Sequence, residues 1–226
     1  MNKNFSKHTT LPFLFLIFFG LNAWGQDFVT SNAWNAVFTT KSLTASTSIQ
    51  LELHNRTQQF YAAQDQYLIR PNIGYRLNKN LQLRLGVTHI KNAPATLENN
   101  IWEQLFFRYP KKWGAYGGWI RIEHRNIQKN NQTLTNHRLR YRMFLQKPLS
   151  APDAQLPVSL FVMGEFFWKL QKGILASDQL WKFVGFNVNL NPKMLLRTGY
   201  QMNSIYQTAF TKRVKNIWNT ILFINI

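Results

Sequence analysis

From residue 28 onward, apolar and polar positions alternate with period two, and helical spacing is scarce. SIQLELH (48–54) sets Ile49, Leu51 and Leu53 against Gln50, Glu52 and His54. YLIRPNIGYRL (67–77) sets Ile69, Ile73, Tyr75 and Leu77 against Arg70, Asn72, Gly74 and Arg76. LQLRLGV (81–87) opposes Gln82, Arg84 and Gly86 to four apolar residues, and GGWIRIEHR (117–125) opposes Arg121, Glu123 and Arg125 to Ile120 and Ile122. In HRLRYRMFLQ (137–146), Arg138, Arg140 and Arg142 share one side while Leu139, Tyr141, Met143 and Leu145 share the other. MLLRTGYQM (194–202) repeats the pattern around Arg197, and WNTILFINI (218–226) puts Trp218, Thr220, Leu222, Ile224 and Ile226 on one face.

Such segments run to roughly ten residues, longer than most soluble strands and near the length of a tilted membrane strand. Their connections alternate. LNKN (77–80), YPKKWG (109–114) and LNPK (190–193) read as tight turns. NRTQQFYAAQDQ, KNAPATLENN, NIQKNNQTLTN, KLQKGILASD and NSIYQTAFTK read as longer polar loops. Tight turns on one rim and long loops on the other predict an outer-membrane barrel. KPLSAPDAQLP (147–157) departs from this as a long connection on the tight-turn side, its three prolines marking a loop. Eleven candidate strands run from AWNAVFT (33–39) to Ile226. Single-chain bacterial barrels have even counts with both termini on one side, so the expectation is 10–12 strands.

Arginine and lysine segregate along this pattern. Arg70, Arg76, Arg84, Arg121, Arg138, Arg140, Arg142 and Arg197 fall inside strands, whereas Lys79, Lys111, Lys112, Lys129, Lys172 and Lys193 fall at strand ends and turns. A confined interior favours arginine, whose planar fork holds several partners and is less strongly hydrated than an ammonium. The reading is therefore apolar faces toward lipid and arginines toward a lumen. Only a closed ring of strands pairs every backbone group in a bilayer. A soluble periplasmic β-sandwich, the competing reading, would need the apolar faces to form a core.

Composition agrees with export. The chain has 226 residues, 27 Lys plus Arg against 9 Asp plus Glu, a formal charge of +18, and no cysteine. A disordered basic chain would not carry 18 Phe, 8 Trp and 8 Tyr. MNKNFSKHTT followed by the apolar run 11–21 and Ala23-Trp24-Gly25 has the form of a cleaved signal peptide. The expected organisation is thus a signal peptide over 1–25 and one barrel domain over 26–226. Trp102, Trp113, Trp119, Trp168, Trp181 and Trp218, with Tyr109, Tyr116 and Tyr206, are read as an aromatic girdle at the two interfaces.

With the strands placed, RPNIGY (70–75), ENNIWEQLFFR (98–108), HRLRYR (137–142), DQLW (178–181) and GYQMN (199–203), in that order, resemble an uncharacterised family of bacterial outer-membrane barrels. This is the family of domain of unknown function 2490, and the likeness covers about residues 33–226. It implies a barrel in the outer membrane of a Gram-negative bacterium and brings no catalytic residue to transfer. The terminal WNTILFINI also looks like the strand signal read by the barrel-assembly machinery, with Ile226 where an aromatic usually stands.

Catalysis finds little footing. His54, His89, His124 and His137 have no serine in a nucleophile context beside them, Ser159 and Ser204 being isolated. The mature acids, Asp27, Glu52, Asp65, Glu98, Glu103, Glu123, Asp153, Glu165 and Asp178, are scattered. No cluster has metal-ligand spacing and no phosphate loop is present, so neither an enzyme nor a cofactor is expected. Glu52, Glu123 and Glu165 are read as carboxylates balancing Arg121, Arg125 and Arg138, Arg140 and Arg142 inside the barrel. The expected function is an outer-membrane barrel with a structural or interaction role and an Arg/Glu-filled lumen. The alternative is a narrow anion-selective pore or binding barrel for small anionic solutes. Expected partners are outer-membrane lipid and lipopolysaccharide, the assembly machinery and small anions, and not nucleic acid.

Overall fold

The computed structural model describes residues 26–93, 95–151, 153–171, 173–207 and 211–226. The expected signal peptide, residues 1–25, and Lys172 lie outside the described residues. Eleven strands follow one another: β1 (Gln26–Ser42), β2 (Thr47–Gln58), β3 (Ala63–Arg76), β4 (Leu81–Asn92), β5 (Thr96–Lys111), β6 (Gly114–Lys129), β7 (Gln132–Pro148), β8 (Val158–Gln171), β9 (Ile174–Asn191), β10 (Met194–Tyr206) and β11 (Lys212–Asn225). They form a closed barrel in sequence order. Every neighbouring pair is antiparallel except the closure, where β1 and β11 run parallel from Gln26↔Lys212 to Thr40↔Asn225.

The odd count settles the question left by the sequence. All eleven candidates take part, and the first and last strands of an odd antiparallel series point the same way. One rim therefore carries the start of β1 and the other the end of β11; they are called here the N-terminal and C-terminal rims. The expectation of an even count with both termini together is not met. At the closure the Ile226 amide donates to the Thr40 carbonyl (2.9 Å), so the last residue is tied to the seam.

The expected long loops are also corrected. Four of the five polar stretches are mostly strand among the described residues, and NSIYQTAFTK is strand over 203–206 and at Lys212. β6 and β7 run on to Lys129 and from Gln132, leaving Asn130 and Asn131 as the whole connection, both at positive φ (50° and 61°). That is the backbone a two-residue hairpin requires, and asparagine tolerates it. Polarity there marks strands exposed to water, not loops. The longest connection among the described residues is 149–157, on the C-terminal rim, as expected. LNKN is a tight turn in which Asn78 Oδ1 accepts from the amides of Asn80 (2.9 Å) and Leu81 (3.1 Å).

Burial is inverted relative to a soluble domain. Among the described residues, buried polar and charged side chains outnumber buried hydrophobic ones, 24 to 14. Ile49, Leu51, Leu53, Ile69, Ile73, Leu83, Leu85, Val87, Ile120, Ile122, Met143 and Leu145 are all exposed on the outer wall. An apolar band of that extent is foreign to soluble monomers, and the closed barrel excludes the sandwich. No helix among the described residues is long and apolar enough to cross a membrane.

Candidate functional site

Because side chains alternate across a strand, parity alone decides which residues enter the lumen. Arg70, Arg84, Arg121, Arg125, Arg138, Arg140, Arg142 and Arg197 all line it, as does Glu52. Glu123 and Glu165 are fully buried behind the arginines. Arg76 closes β3 at the C-terminal rim, exposed and outside the network.

The barrel's waist is crossed by a continuous chain of contacts from β2 to β8. Arg70 donates from Nη1 to Glu52 (2.9 Å) and from Nε to the Thr88 hydroxyl (2.9 Å). Trp102 donates Nε1–H to the same hydroxyl (3.0 Å), and the Arg121 guanidinium lies 4.0 Å above the Trp102 ring. The indole fits only because Gly86 faces it: a Cβ there would meet Trp102 Cζ2 at 2.3 Å. Arg121 also takes Gln104 Oε1 from Nε and Nη2 (2.9 and 2.6 Å) and reaches within 3.7 Å of Glu123.

The Arg138–Arg140–Arg142 ladder on β7 completes the chain. Glu123 accepts from Arg138 Nε (2.7 Å) and Arg140 Nη1 (2.5 Å). Glu165 accepts from Arg140 Nε (2.7 Å) and Arg142 Nε (2.8 Å). Two carboxylates thus hold three guanidiniums, with Arg140 forked between them. The rings of Phe167 (4.4 Å) and Trp119 (5.0 Å) lie under Arg140. Charge-assisted forks of this kind are the strongest polar contacts a confined site offers. Between Arg197 and Lys215 the wall on β10 and β11 is built of amides: Asn219 donates to Gln201 (2.6 Å) and Gln201 to Asn203 (2.8 Å).

The two ends of the lumen differ. Toward the N-terminal rim, cations meet acids: Arg125 Nε to Glu98 (2.7 Å), Lys215 to Asp65 (2.8 Å), and Arg138 and Lys169 to Asp178 (both 3.8 Å). Arg56 sits there over the Trp34 ring (4.0 Å) and donates to Gln66. Toward the C-terminal rim, arginines meet amides. Arg84 donates to Gln50 (2.6 Å) and Gln82 (3.0 Å), Arg197 to Asn187 (2.7 Å), and Arg108 to Gln146 (3.4 Å).

One cavity of about 950 Å³ runs through this interior, lined from Asp65 and Asn92 at one end to Leu195 and Asn225 at the other. Its wall carries eleven cations (ten arginines and Lys215) and three carboxylates (Glu52, Asp65 and Glu98).

Several residues were missed by sequence reasoning. Arg56, Glu98 and Asp178 lay in stretches read as loops, Arg108 lay at the end of ENNIWEQLFFR, and Arg125 finds its partner in Glu98. Continuing the period-two count of β2 past His54 reaches Arg56 and would have found it. The girdle needs correction too: Trp102, Trp119 and Trp181 point inward and serve as platforms for arginines, because parity places them beside lumen residues. Among the rest, Tyr109 and Tyr116 stack at the C-terminal rim (5.3 Å), and Trp113 and Trp218 are exposed.

Of the histidines, His54 joins the lumen, 3.3 Å from Glu52. His124 and His137 stand together on the outer wall (2.9 Å), with Glu103 3.3 Å from His124. Ser159 accepts from Gln146 (2.9 Å).

A family model described as protein of unknown function (DUF2490) matches residues 31–214. No curated protein matches the chain. Among solved structures, the crystal structure of the siderophore receptor PirA from Pseudomonas aeruginosa is similar at 9% identity, with a TM-score of 0.34. The match covers 73% of this chain and 33% of that one, so the chain spans about a third of the receptor's length.

Proposed function

The chain belongs to the family described as protein of unknown function (DUF2490), and on that premise we propose that it is an outer-membrane β-barrel whose braced, positively charged lumen admits small anions. The observation that carries this reading is the wall of the 950 Å³ cavity, with eleven cations against three carboxylates on the wall and three more, Glu123, Glu165 and Asp178, paired with its arginines from behind. A lumen built only as a brace would come closer to neutrality; a surplus of arginines facing water raises the local concentration of anions and repels cations. The waist chain supports the structural half of the expectation, since Glu123 and Glu165 hold the ladder in place and offset part of its charge, leaving the surplus to the amide-held arginines.

The exposed apolar band supports a bilayer location: lipid would cover a surface that water would not tolerate. On this reading, outer-membrane lipid and lipopolysaccharide surround the wall and the assembly machinery inserts it. The reading gives the barrel no catalytic role and no cofactor. In cells, the protein is expected in the outer-membrane fraction with heat-modifiable gel mobility. In vesicles, it is expected to release chloride faster than rubidium. Recovery as a soluble periplasmic protein, or faster rubidium release, would overturn the proposal.

A further inference from the structure

The C-terminal end of the lumen has a second property beyond its charge. Phenylalanines, out of place in a watery channel, form an arc across four of its strands. Phe106 lies parallel to Phe144 (6.5 Å between centroids), Phe144 to Phe161 (5.4 Å), and Phe161 meets Phe183 edge-on (5.9 Å). Phe223 adds a fifth ring from β11, and all five line the cavity.

Arginines without carboxylate partners stand on this arc. The Arg197 guanidinium lies 3.5 Å over Phe161 and 5.0 Å from Phe223. It donates only Nε–H, to Asn187, and its terminal nitrogens have no partner among the described residues. The charged groups that act on Arg197 are Arg142 and Arg108, both repulsive. Arg84 lies 6.0 Å from the Phe106 ring and is held by two glutamines. A guanidinium on an aromatic face, positioned by an amide and facing like charges, is prepared for an anion that the chain itself does not supply.

We propose that this chamber is a binding site for an aromatic carboxylate. The carboxylate takes the free edge of Arg197, with Arg108 and Arg84 adding charge, and the ring enters the phenylalanine arc. The inference rests on the anion-admitting lumen and adds its preferred solute. A small inorganic anion would use the arginines and leave the half-buried rings of Phe106, Phe144 and Phe223, which flank the buried Phe161 and Phe183, in contact with water. An aromatic acid uses both, gaining offset or edge-on ring contacts with the arc.

The test is calorimetric titration of the folded full chain in detergent micelles with benzoate and with acetate, which share the carboxylate and differ in the ring. Benzoate should bind about tenfold tighter than acetate, the worth of one or two ring contacts. Arg197→Gln should weaken both acids by about tenfold. Phe106→Leu should reduce only the benzoate preference. Equal affinities for the two acids would overturn the aromatic assignment. Binding untouched by both Arg197→Gln and Arg84→Gln would overturn the location.

The readout needs no permeation, so the two proposals fail separately. Benzoate preference in a barrel that does not pass anions would leave the chamber standing and the passage overturned. Anion passage without the preference would do the reverse.

Discussion

The two ends of one lumen use arginine in opposite ways. Toward the N-terminal rim and at the waist, every guanidinium but Arg56, which Gln66 and the Trp34 ring hold, is matched with an acid: Arg125 with Glu98, Arg70 with Glu52, and Arg121 and three β7 arginines with Glu123 and Glu165. Toward the C-terminal rim, Arg84, Arg108 and Arg197 have amides and phenyl rings instead. The residue type is the same, on different strands of one wall, and the partners differ. An acid partner turns a buried arginine into a brace, and an amide partner leaves its charge to the lumen.

The widest separation between the two should appear in stability. Glu165→Gln leaves Arg140 and Arg142 short of a charge at a carboxylate that is fully buried. A loss of about 3–5 kcal/mol is expected, read as a lower thermal midpoint for loss of the heat-modifiable form in detergent. A loss below 1 kcal/mol would mean that the ladder is hydrated and does not brace. Gly86→Ala probes the same chain where no charge changes. A Cβ 2.3 Å from Trp102 forces the indole off Thr88 and away from Arg121. About 1–3 kcal/mol is expected, together with a shift in tryptophan fluorescence. At the other end, Arg108→Gln removes a cation with one long hydrogen bond. Stability should stay within about 0.5 kcal/mol, while chloride-over-rubidium release falls.

Much of this was legible in the alternation of residues. Period two placed all eleven strands, and the parity of Arg138, Arg140 and Arg142 against Leu139, Tyr141 and Met143 placed the ladder inside. The inward carboxylates Glu52, Glu123 and Glu165 were legible by the same count. What parity does not contain is register. That Arg125 meets Glu98 and not Glu123 depends on how β5 slides against β6, where Asn100 stands opposite Arg125.

Polarity misled where strands extend past the apolar band. Asn130–Asn131 is a two-residue turn inside what read as an eleven-residue loop, and Arg56 and Asp178 were lost in the same way. The tryptophans were assigned by nearness to strand ends, when their parity beside Asn100, Arg121 and Glu165 partners sends Trp102, Trp119 and Trp181 inward. The charge asymmetry between rims needed all of this at once: strand ends, register and the parallel closure that fixes which rim is which.

The most direct measurement of the central claim is the reversal potential of the barrel in a planar bilayer across a potassium chloride gradient. It should be made for the wild type and for the triple variant Arg84→Gln, Arg108→Gln, Arg197→Gln. The account predicts a potential on the chloride side of zero for the wild type and one shifted toward zero for the variant, with the fold of both unchanged. A wild-type potential on the potassium side, or one that the three substitutions leave in place, would contradict it.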